Sequence, residues 1–570
     1  MGRHRGGDHG SQGHGGSAGR LKAGGPHRDL LFGGDGDDTI IGNGGNDYME
    51  GGGGRDRFVL RPGDGWDCIG DFQSGSGGDV LDLRGWSGLG SLKAVLATAH
   101  QDKDGVVLCF GPRDSVKLMG VSRDSLTADN FLLKPDHAAA TAVFTATDAA
   151  HGGELWGTAG RRAFLLRDIA PGAAESSPQG FVTADDRVFF SADDGVHGRE
   201  LWVTDGTSAG TRMVTDIRPG AASSNPLALT AMDGQLYFQA DDGANGIELW
   251  VTDGTDAGTR MVTDIKPGSG GSYPHNLTAV GDELFFAASD IDHGTALWRT
   301  DGTAEGTELV KDFFPGGFDP PVPVPIFPAH FAATDDRLFL TAWDGTDGFT
   351  QLWVTDGTEG GTVKLRGDLG DNPRIGREIT LKTVGDTLFF NSSEDLWKSD
   401  GTVAGTVLVK DFQAAGSTLP NQFTAVDDRL FFVTTDGPHG YELWTSDGTG
   451  QGTHLVKDIA PGTDSASVSA LVAVDDTLFF TADDGVHGLA LWTSDGTEAG
   501  TRMVTDASAD TRWTAPNSLS AVGDSLYFSA TDSAQRGALF RLDPGSGEVT
   551  QITSAQPYTL PYNAATVVGV

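Results

Sequence analysis

The chain has 570 residues, with 84 glycines and 24 prolines, a balance that suits a turn-rich all-β protein with more than one core. Forty Lys and Arg stand against 79 Asp and Glu, a net charge of −39, which disfavours nucleic acid and anionic membrane surfaces and favours metal cations or basic surfaces as partners. Many of these acids precede glycine, so turn chemistry is an equal claimant on the charge.

Residues 1–23 are rich in Gly, His, Ser and Arg and hold no apolar core of the kind a secretory signal peptide needs, so the expectation is a disordered tail. His4, His9 and His14 in it are at most weak metal contacts. No apolar run approaches the ~20 residues of a membrane-spanning helix. The two cysteines, Cys68 and Cys109, are compatible with one bridge or with two free thiols.

From Gly24 the sequence falls into nonapeptides of the form G-G-x-G-x-D-x-U-x, with U a large apolar residue. Gly33–Ile41, Gly42–Glu50 and Gly51–Val59 fit, and Gly24–Phe32 is a degenerate fourth copy. Such a pattern reads as a parallel β-roll, with tight turns facing Ca²⁺ and short strands placing Leu31, Ile40, Met49 and Phe58 inward. The expected metal-binding positions are Asp29, Asp38, Asp47 and Asp56, with the turn residues Gly33, Gly34, Gly36, Gly42, Gly44, Gly45, Gly51 and Gly54. Two nonapeptides make one coil, which pairs Asp29 with Asp47 and Asp38 with Asp56. Carboxylate and carbonyl oxygens are hard ligands and select Ca²⁺ as the cofactor.

This segment resembles the RTX (repeats-in-toxin) motif. The pieces that follow it, Asp56–Leu60, Gly63–Phe72, Asp79–Leu83 and Phe110–Leu133, resemble the module that follows the nonapeptides in serralysin-type RTX proteins. H-E-x-x-H occurs nowhere in the chain, so the zinc protease half of a serralysin is absent. The resemblance implies an extracellular protein exported by a type I route. On this reading residues 24–134 form a calcium-binding module and 135–142 a linker.

Residues 143–570 are one repeated unit, marked by Trp156, Trp202, Trp250, Trp298, Trp353, Trp397, Trp444, Trp492 and, in the ninth place, Phe540. The steps between them are 46, 48, 48, 55, 44, 47, 48 and 48 residues, a period typical of propellers and stacked arrays. In the second copy four strand-like runs, a to d, cover Phe181–Ala184, Arg187–Ala192, Glu200–Thr204 and Thr211–Ile217, separated by turn residues such as Asp185-Asp186 and Asp205-Gly206-Thr207. Neighbouring apolar residues in runs b and c, Phe189-Phe190 and Leu201-Trp202, bury both faces of each small sheet. The predicted architecture is therefore all-β, a parallel β-roll followed by a propeller of about nine four-stranded blades. The first copy lacks strand a, and Ala564–Val568 at the other end of the chain supplies it and closes the ring. E-L-W-x-T-D-G-T recurs nearly verbatim at Glu200, Glu248 and Glu442, and the chain resembles the bacterial family named for the ELWxxDGT repeat.

The loops joining b to c and d to a share one face. His151, His197, His293, His439 and His487 occupy equivalent places there, and identical repetition points to loop support before ligand contact. The same holds for Glu154, Glu200, Glu248 and Glu442. The long step contains Phe313–His330, whose Pro320, Pro321, Pro323, Pro325, Ile326 and Phe327 suit a stiff partner contact. No nucleophile elbow, P-loop, Rossmann fingerprint or CxxC pattern is present. The expected function is a secreted calcium-binding protein whose propeller binds a protein or glycan, without enzymatic activity. The alternative is an extracellular glycan hydrolase or lyase using acids in the propeller mouth.

Overall fold

The computed structural model describes residues 20–25, 27–75, 78–83, 95–96, 98–110, 114–127, 130–132, 140–313, 315, 328–346, 350–369, 379–412, 419–504, 513–532, 537–554, 560 and 567–570. Residues 1–19 of the expected tail and 135–139 of the expected linker lie outside them, whereas Leu21–Ala23 forms a strand. Backbone packing divides the chain into two units, Met1–Ala139 and Ala140–Val570.

In the first unit the alternate nonapeptides feed two parallel sheets. One runs Leu21–Ala23, Thr39–Ile41, Arg57–Val59, Val80–Asp82 and Phe131–Leu132; the other begins Leu30–Asp35, Tyr48–Gly53 and Trp66–Ile69. Leu21 pairs with Thr39, Thr39 with Arg57 and Leu30 with Tyr48, so the coil advances by 18 residues. The next coil is longer, since Tyr48 pairs with Cys68 and Arg57 with Val80. Ile40, Phe58 and Leu81 from one sheet meet Met49 and Ile69 from the other in one core, all fully buried, which makes the unit a β-roll. Leu31 packs against this core only in part.

The second sheet is completed by Ser115–Met119, parallel to Trp66–Ile69, and by the antiparallel strands Gly105–Cys109 and Ala99–Gln101. Cys109 stands opposite Ser115 and Cys68 opposite Lys117, so a whole strand separates the two sulfurs. Two inter-strand spacings come to about 10 Å, beyond the ~7 Å Cα limit of a disulfide. Both thiols are free.

The second unit is a nine-bladed propeller. Seven blades are separate four-stranded antiparallel sheets, and the first and ninth join into a composite of eight strands. Each blade is held on both faces by its neighbours. Val188, Phe190 and Trp202 of the second blade pack with Leu155 and Leu166 of the first, while its Phe189, Leu201 and Val203 pack with Leu236 and Phe238 of the third. Burial of successive side chains on opposite faces is what the apolar doublets of strands b and c foreshadow.

Strands a, b and c of the second copy are Gln179–Ala184, Arg187–Asp193 and Arg199–Thr204, close to expectation. Strand d is shorter, Arg212–Met213, and beyond it the Ile217 N–H donates to the Glu200 carboxylate 3.2 Å away. The ring closes at two seams. Val568–Gly569 pairs antiparallel with Ala142–Val143, and Arg162–Ala163 pairs in parallel with Thr553–Ser554. The closing strand shares Val568 with the expected Ala564–Val568 and runs on to Gly569; residues 564–566 lie outside the described residues, and Val567 is buried against Phe144 and Tyr527.

Closure at the first seam has a measurable consequence. Deleting residues 567–570 leaves the Ala142–Asp148 edge unpaired and removes Val567 from its cluster, so the melting temperature should fall and unfolding should broaden. An unchanged calorimetric transition would contradict closure by this strand.

Candidate metal centre

Two columns of aspartates run up the β-roll, one on each side. The Oδ1 of Asp47 accepts the Asp29 N–H at 2.8 Å, and that of Asp56 accepts the Asp38 N–H at 2.8 Å, so the expected pairs are linked carboxylate to backbone. The ladder continues beyond the nonapeptides. Asp67 Oδ1 accepts the Asp47 N–H at 3.0 Å and Asp79 Oδ1 the Asp56 N–H at 2.9 Å. The sequence reading missed Asp67 and Asp79 as ladder members because the coil stretches from 18 residues to 20 and 23 at these steps.

The second oxygens differ from the first. Asp38, Asp47 and Asp56 are 1%, 2% and 0% exposed, and the Oδ2 of each has no hydrogen-bond partner. Asp29 is at the end of its column and uses Oδ2 to accept the Gly25 N–H at 2.6 Å. Burial pushes the Asp47 carboxyl above the usual carboxylate range and that of Asp56 up to about 6, the latter with help from the charges of Asp79, Asp38 and Asp71. Repulsion and desolvation both penalise these charges while no cation balances them.

The turn glycines leave space where the oxygens meet. A Cβ on Gly24 would lie 2.6 Å from the Gly42 carbonyl oxygen and 2.7 Å from Asp29 Oδ2. One on Gly33 would collide with the Gly51 carbonyl oxygen and lie 2.7 Å from Asp38 Oδ2. Gly42 and Gly51 face the Oδ2 atoms of Asp47 and Asp56 in the same way. Gly45 and Gly54 take φ of 138° and 132°, and a side chain there would run into the turn below. Gly34 and Gly36 share the left-handed backbone, while Gly44 does not. Among the described residues no three His, Cys, Asp or Glu side chains converge to hold a metal, so an ion in these turns takes much of its shell from carbonyls. Bare carboxylate oxygens facing carbonyls across glycine-lined gaps fit Ca²⁺, a hard ion with a large oxygen shell.

The propeller uses its acids differently. Glu200 is fully buried, and its carboxylate accepts the N–H of Ile217 and Ser224 and the Ser224 hydroxyl, the last two at 3.0 and 2.6 Å. Glu154, Glu248 and Glu442 hold their d to a loops in the same way. Burial pushes these carboxyls up, to about 7 for Glu248 and Glu442, against the backbone N–H groups that favour the charged form. In the repeated Asp-Gly-Thr turn, Asp205 Oδ1 accepts the N–H and hydroxyl of Thr207 at 2.9 and 2.7 Å. Asp168, Asp216, Asp264 and Asp458 each keep one buried oxygen without a partner, but on partly exposed side chains.

Each repeated histidine closes its own loop. His197 Nδ1 lies 2.7 Å from Asp194 Oδ2, whose carboxylate also accepts the His197 N–H, and His151, His293, His439 and His487 repeat the pairing with Asp148, Asp290, Asp436 and Asp484. The Asp partner raises the pKa of His151, His197, His293 and His439 above the ordinary histidine value. Pro320, Pro321, Pro323, Pro325, Ile326 and Phe327 lie outside the described residues. The start of their loop is anchored, with Phe313 buried edge-on against Trp353 at 5.0 Å.

The profile of the RTX calcium-binding nonapeptide repeat matches residues 23–58 in four copies. No curated protein sequence matches the chain. Among solved structures, the chain is similar to one from a study of two prolyl endopeptidases, at 14% identity over 59% of this chain and 50% of that one, with a TM-score of 0.36. It is similar to a puromycin hydrolase at 13% over 64% and 58% (TM-score 0.33), and to oligopeptidase B from Leishmania major at 12% over 57% and 48% (TM-score 0.34). The chain thus spans about half the length of these proteins. Likeness at that level says nothing of what this chain binds or turns over.

Two outcomes test the structural role of the propeller acids. Glu200→Ala leaves two backbone N–H groups and a hydroxyl buried without an acceptor, and should cost about 3–5 kcal/mol in unfolding free energy. For the histidines, a folded pKa above the unfolded one means stabilisation that is complete below pH ~6.5 and lost as pH rises through the raised value. The gap in melting temperature between the wild type and a variant with His151, His197, His293 and His439 changed to Gln should therefore be larger at pH 6 than at pH 8.5.

Proposed function

We propose that this chain is an extracellular, calcium-loaded binding protein of the ELWxxDGT-repeat type, with residues 24–134 as a calcium-folded module, 135–142 as a linker and 143–570 as a propeller that binds a protein or glycan. One observation carries the calcium half: three aspartates buried in stacked turns, each with an oxygen that no protein group satisfies. Asp29, Asp38, Asp47 and Asp56, with carbonyls of the turn glycines, would hold the ions. Bound Ca²⁺ supplies the positive charge that lets these carboxylates stack.

Among the described residues of the nonapeptides, 24–59, the buried apolar side chains are Ile40, Met49, Phe58 and Val59, few to set against the conformational entropy of those coils without the metal. Binding energy then becomes folding energy. Extracellular sites of this kind work at roughly 10⁻⁴ to 10⁻³ M Ca²⁺, so the module stays loose in a low-calcium cytosol and folds after export. For the propeller, binding is favoured over catalysis because the repeated Glu, Asp and His side chains are engaged in holding loops. The Pro-rich insertion, 316–328, is the departure from the repeat and the segment assigned to partner contact.

Hydrogen exchange on the full chain tests the calcium reading. Residues 20–60 should be protected in millimolar Ca²⁺ and exchange freely in chelator, while the propeller stays protected in both. Asp38→Ala with Asp56→Ala should abolish the difference. Identical exchange of residues 20–60 with and without Ca²⁺ would overturn it. For the propeller, a glycan and protein panel should yield a ligand whose affinity falls when 316–328 is replaced by the shorter Pro219–Pro226 segment; equal affinity would remove that loop from the site.

A further inference from the structure

The calcium repeat does not stop where the nonapeptide match ends. Pro62–Gly70 reads P-G-D-G-W-D-C-I-G, the nonapeptide pattern with proline in the first position. A two-residue insertion throws it out of the 18-residue period, but the backbone restores the stacking. Gly65 bridges Gly45 in parallel, the Gly45 N–H donates to the Asp64 carbonyl at 2.9 Å, and the Cys68 N–H donates to the Asp47 carbonyl at 2.8 Å. The last repeats the bond from the Tyr48 N–H to the Asp29 carbonyl one coil below. Gly63 and Gly65 take φ of 93° and 99°, Asp67 caps Asp47 as Asp47 caps Asp29, and Ile69 is fully buried in the U position.

The gap between the Gly42–Asp47 turn and this fifth turn carries unbalanced charge. Asp47 and Asp67 are both buried, and Asp47 keeps its unpartnered Oδ2 here, beside Gly42. In the gaps below, Asp29 and Asp38 hold that place, each opposite a carbonyl of the turn above. Asp64 is bonded through Oδ2 to the Arg61 N–H, and Asp114 Oδ1 accepts the N–H groups of Gly63 and Gly65. Four carboxylates thus surround one turn. The Arg61 guanidinium reaches Asp82 and its charge also acts on Asp64, and Lys117 bonds Asp102 at 2.7 Å, which leaves Asp47 and Asp67 to be balanced. Two buried carboxylates stacked across a turn without a counter-ion are strongly unfavourable.

We propose that this gap is a further calcium site, outside the matched repeats, held by Asp47 Oδ2, Asp67 and carbonyls of the Gly42–Asp47 and Pro62–Asp67 turns. It rests on the calcium reading of the nonapeptides and extends it by one level. No carbonyl of the fifth turn comes as near Gly42 as the Gly42 carbonyl comes to Gly24, so the cradle is wider and this site fills last.

The test uses the full chain, with Ca²⁺ counted by equilibrium dialysis and Tb³⁺ used as a luminescent stand-in. Trp66 stands beside Asp67, 63% exposed, where it can sensitise an ion in this gap. Asp67→Asn keeps the acceptor for the Asp47 N–H and should lower the bound Ca²⁺ by one ion and abolish the late-filling Tb³⁺ signal. Trp66→Phe should lose that signal and keep every ion. Asp38→Asn, in the other column, should lose an ion and keep the signal. An unchanged ion count in Asp67→Asn would overturn the proposal. If Asp38→Asn nevertheless loses an ion, the nonapeptide reading survives and the fifth turn alone fails; if neither loses one, the calcium reading fails with it.

Discussion

Both units of this protein depend on one interaction, a carboxylate accepting backbone N–H groups from a segment distant in sequence. In the β-roll each aspartate caps the aspartate of the coil before it. In the propeller a buried glutamate gathers the N–H groups of the loop leading into the next blade. Charged acceptors make stronger hydrogen bonds than neutral ones, so a turn-rich chain gains rigidity by using acids as caps. Much of the net charge of −39 is therefore structural.

What separates the two units is the fate of the second oxygen. The propeller glutamates satisfy both oxygens from loop donors and leave nothing for a ligand. Asp38, Asp47 and Asp56 of the coil satisfy one and bury the other bare. Such a residue is unstable by itself and becomes favourable when a cation completes it.

The periodic features were legible in the sequence. The tryptophan steps give nine blades, because each blade must present the same doublets, such as Phe189-Phe190, to both neighbours. The nonapeptide spacing gives the coil and the Asp29–Asp47 and Asp38–Asp56 links. What escaped is aperiodic. Asp67 and Asp79 were hidden by insertions that lengthen the connection without disturbing the stack. Strand d of the second blade ends at Met213, short of the apolar run that continues to Ile217. The closing strand shares Val568 with the expected segment and extends it to Gly569. The histidine partners were visible as Asp three residues before each ring, a spacing that turn chemistry favours.

The central claim is that the bare oxygens of the β-roll are calcium ligands. Crystals grown in millimolar Ca²⁺, with anomalous differences collected at long wavelength, test it most directly. The expected map has peaks between stacked turns, about 2.3–2.6 Å from Asp38 Oδ2 and the Gly51 carbonyl oxygen, as oxygen-bound calcium requires. A well-ordered β-roll with no anomalous peak at these oxygens would contradict the account.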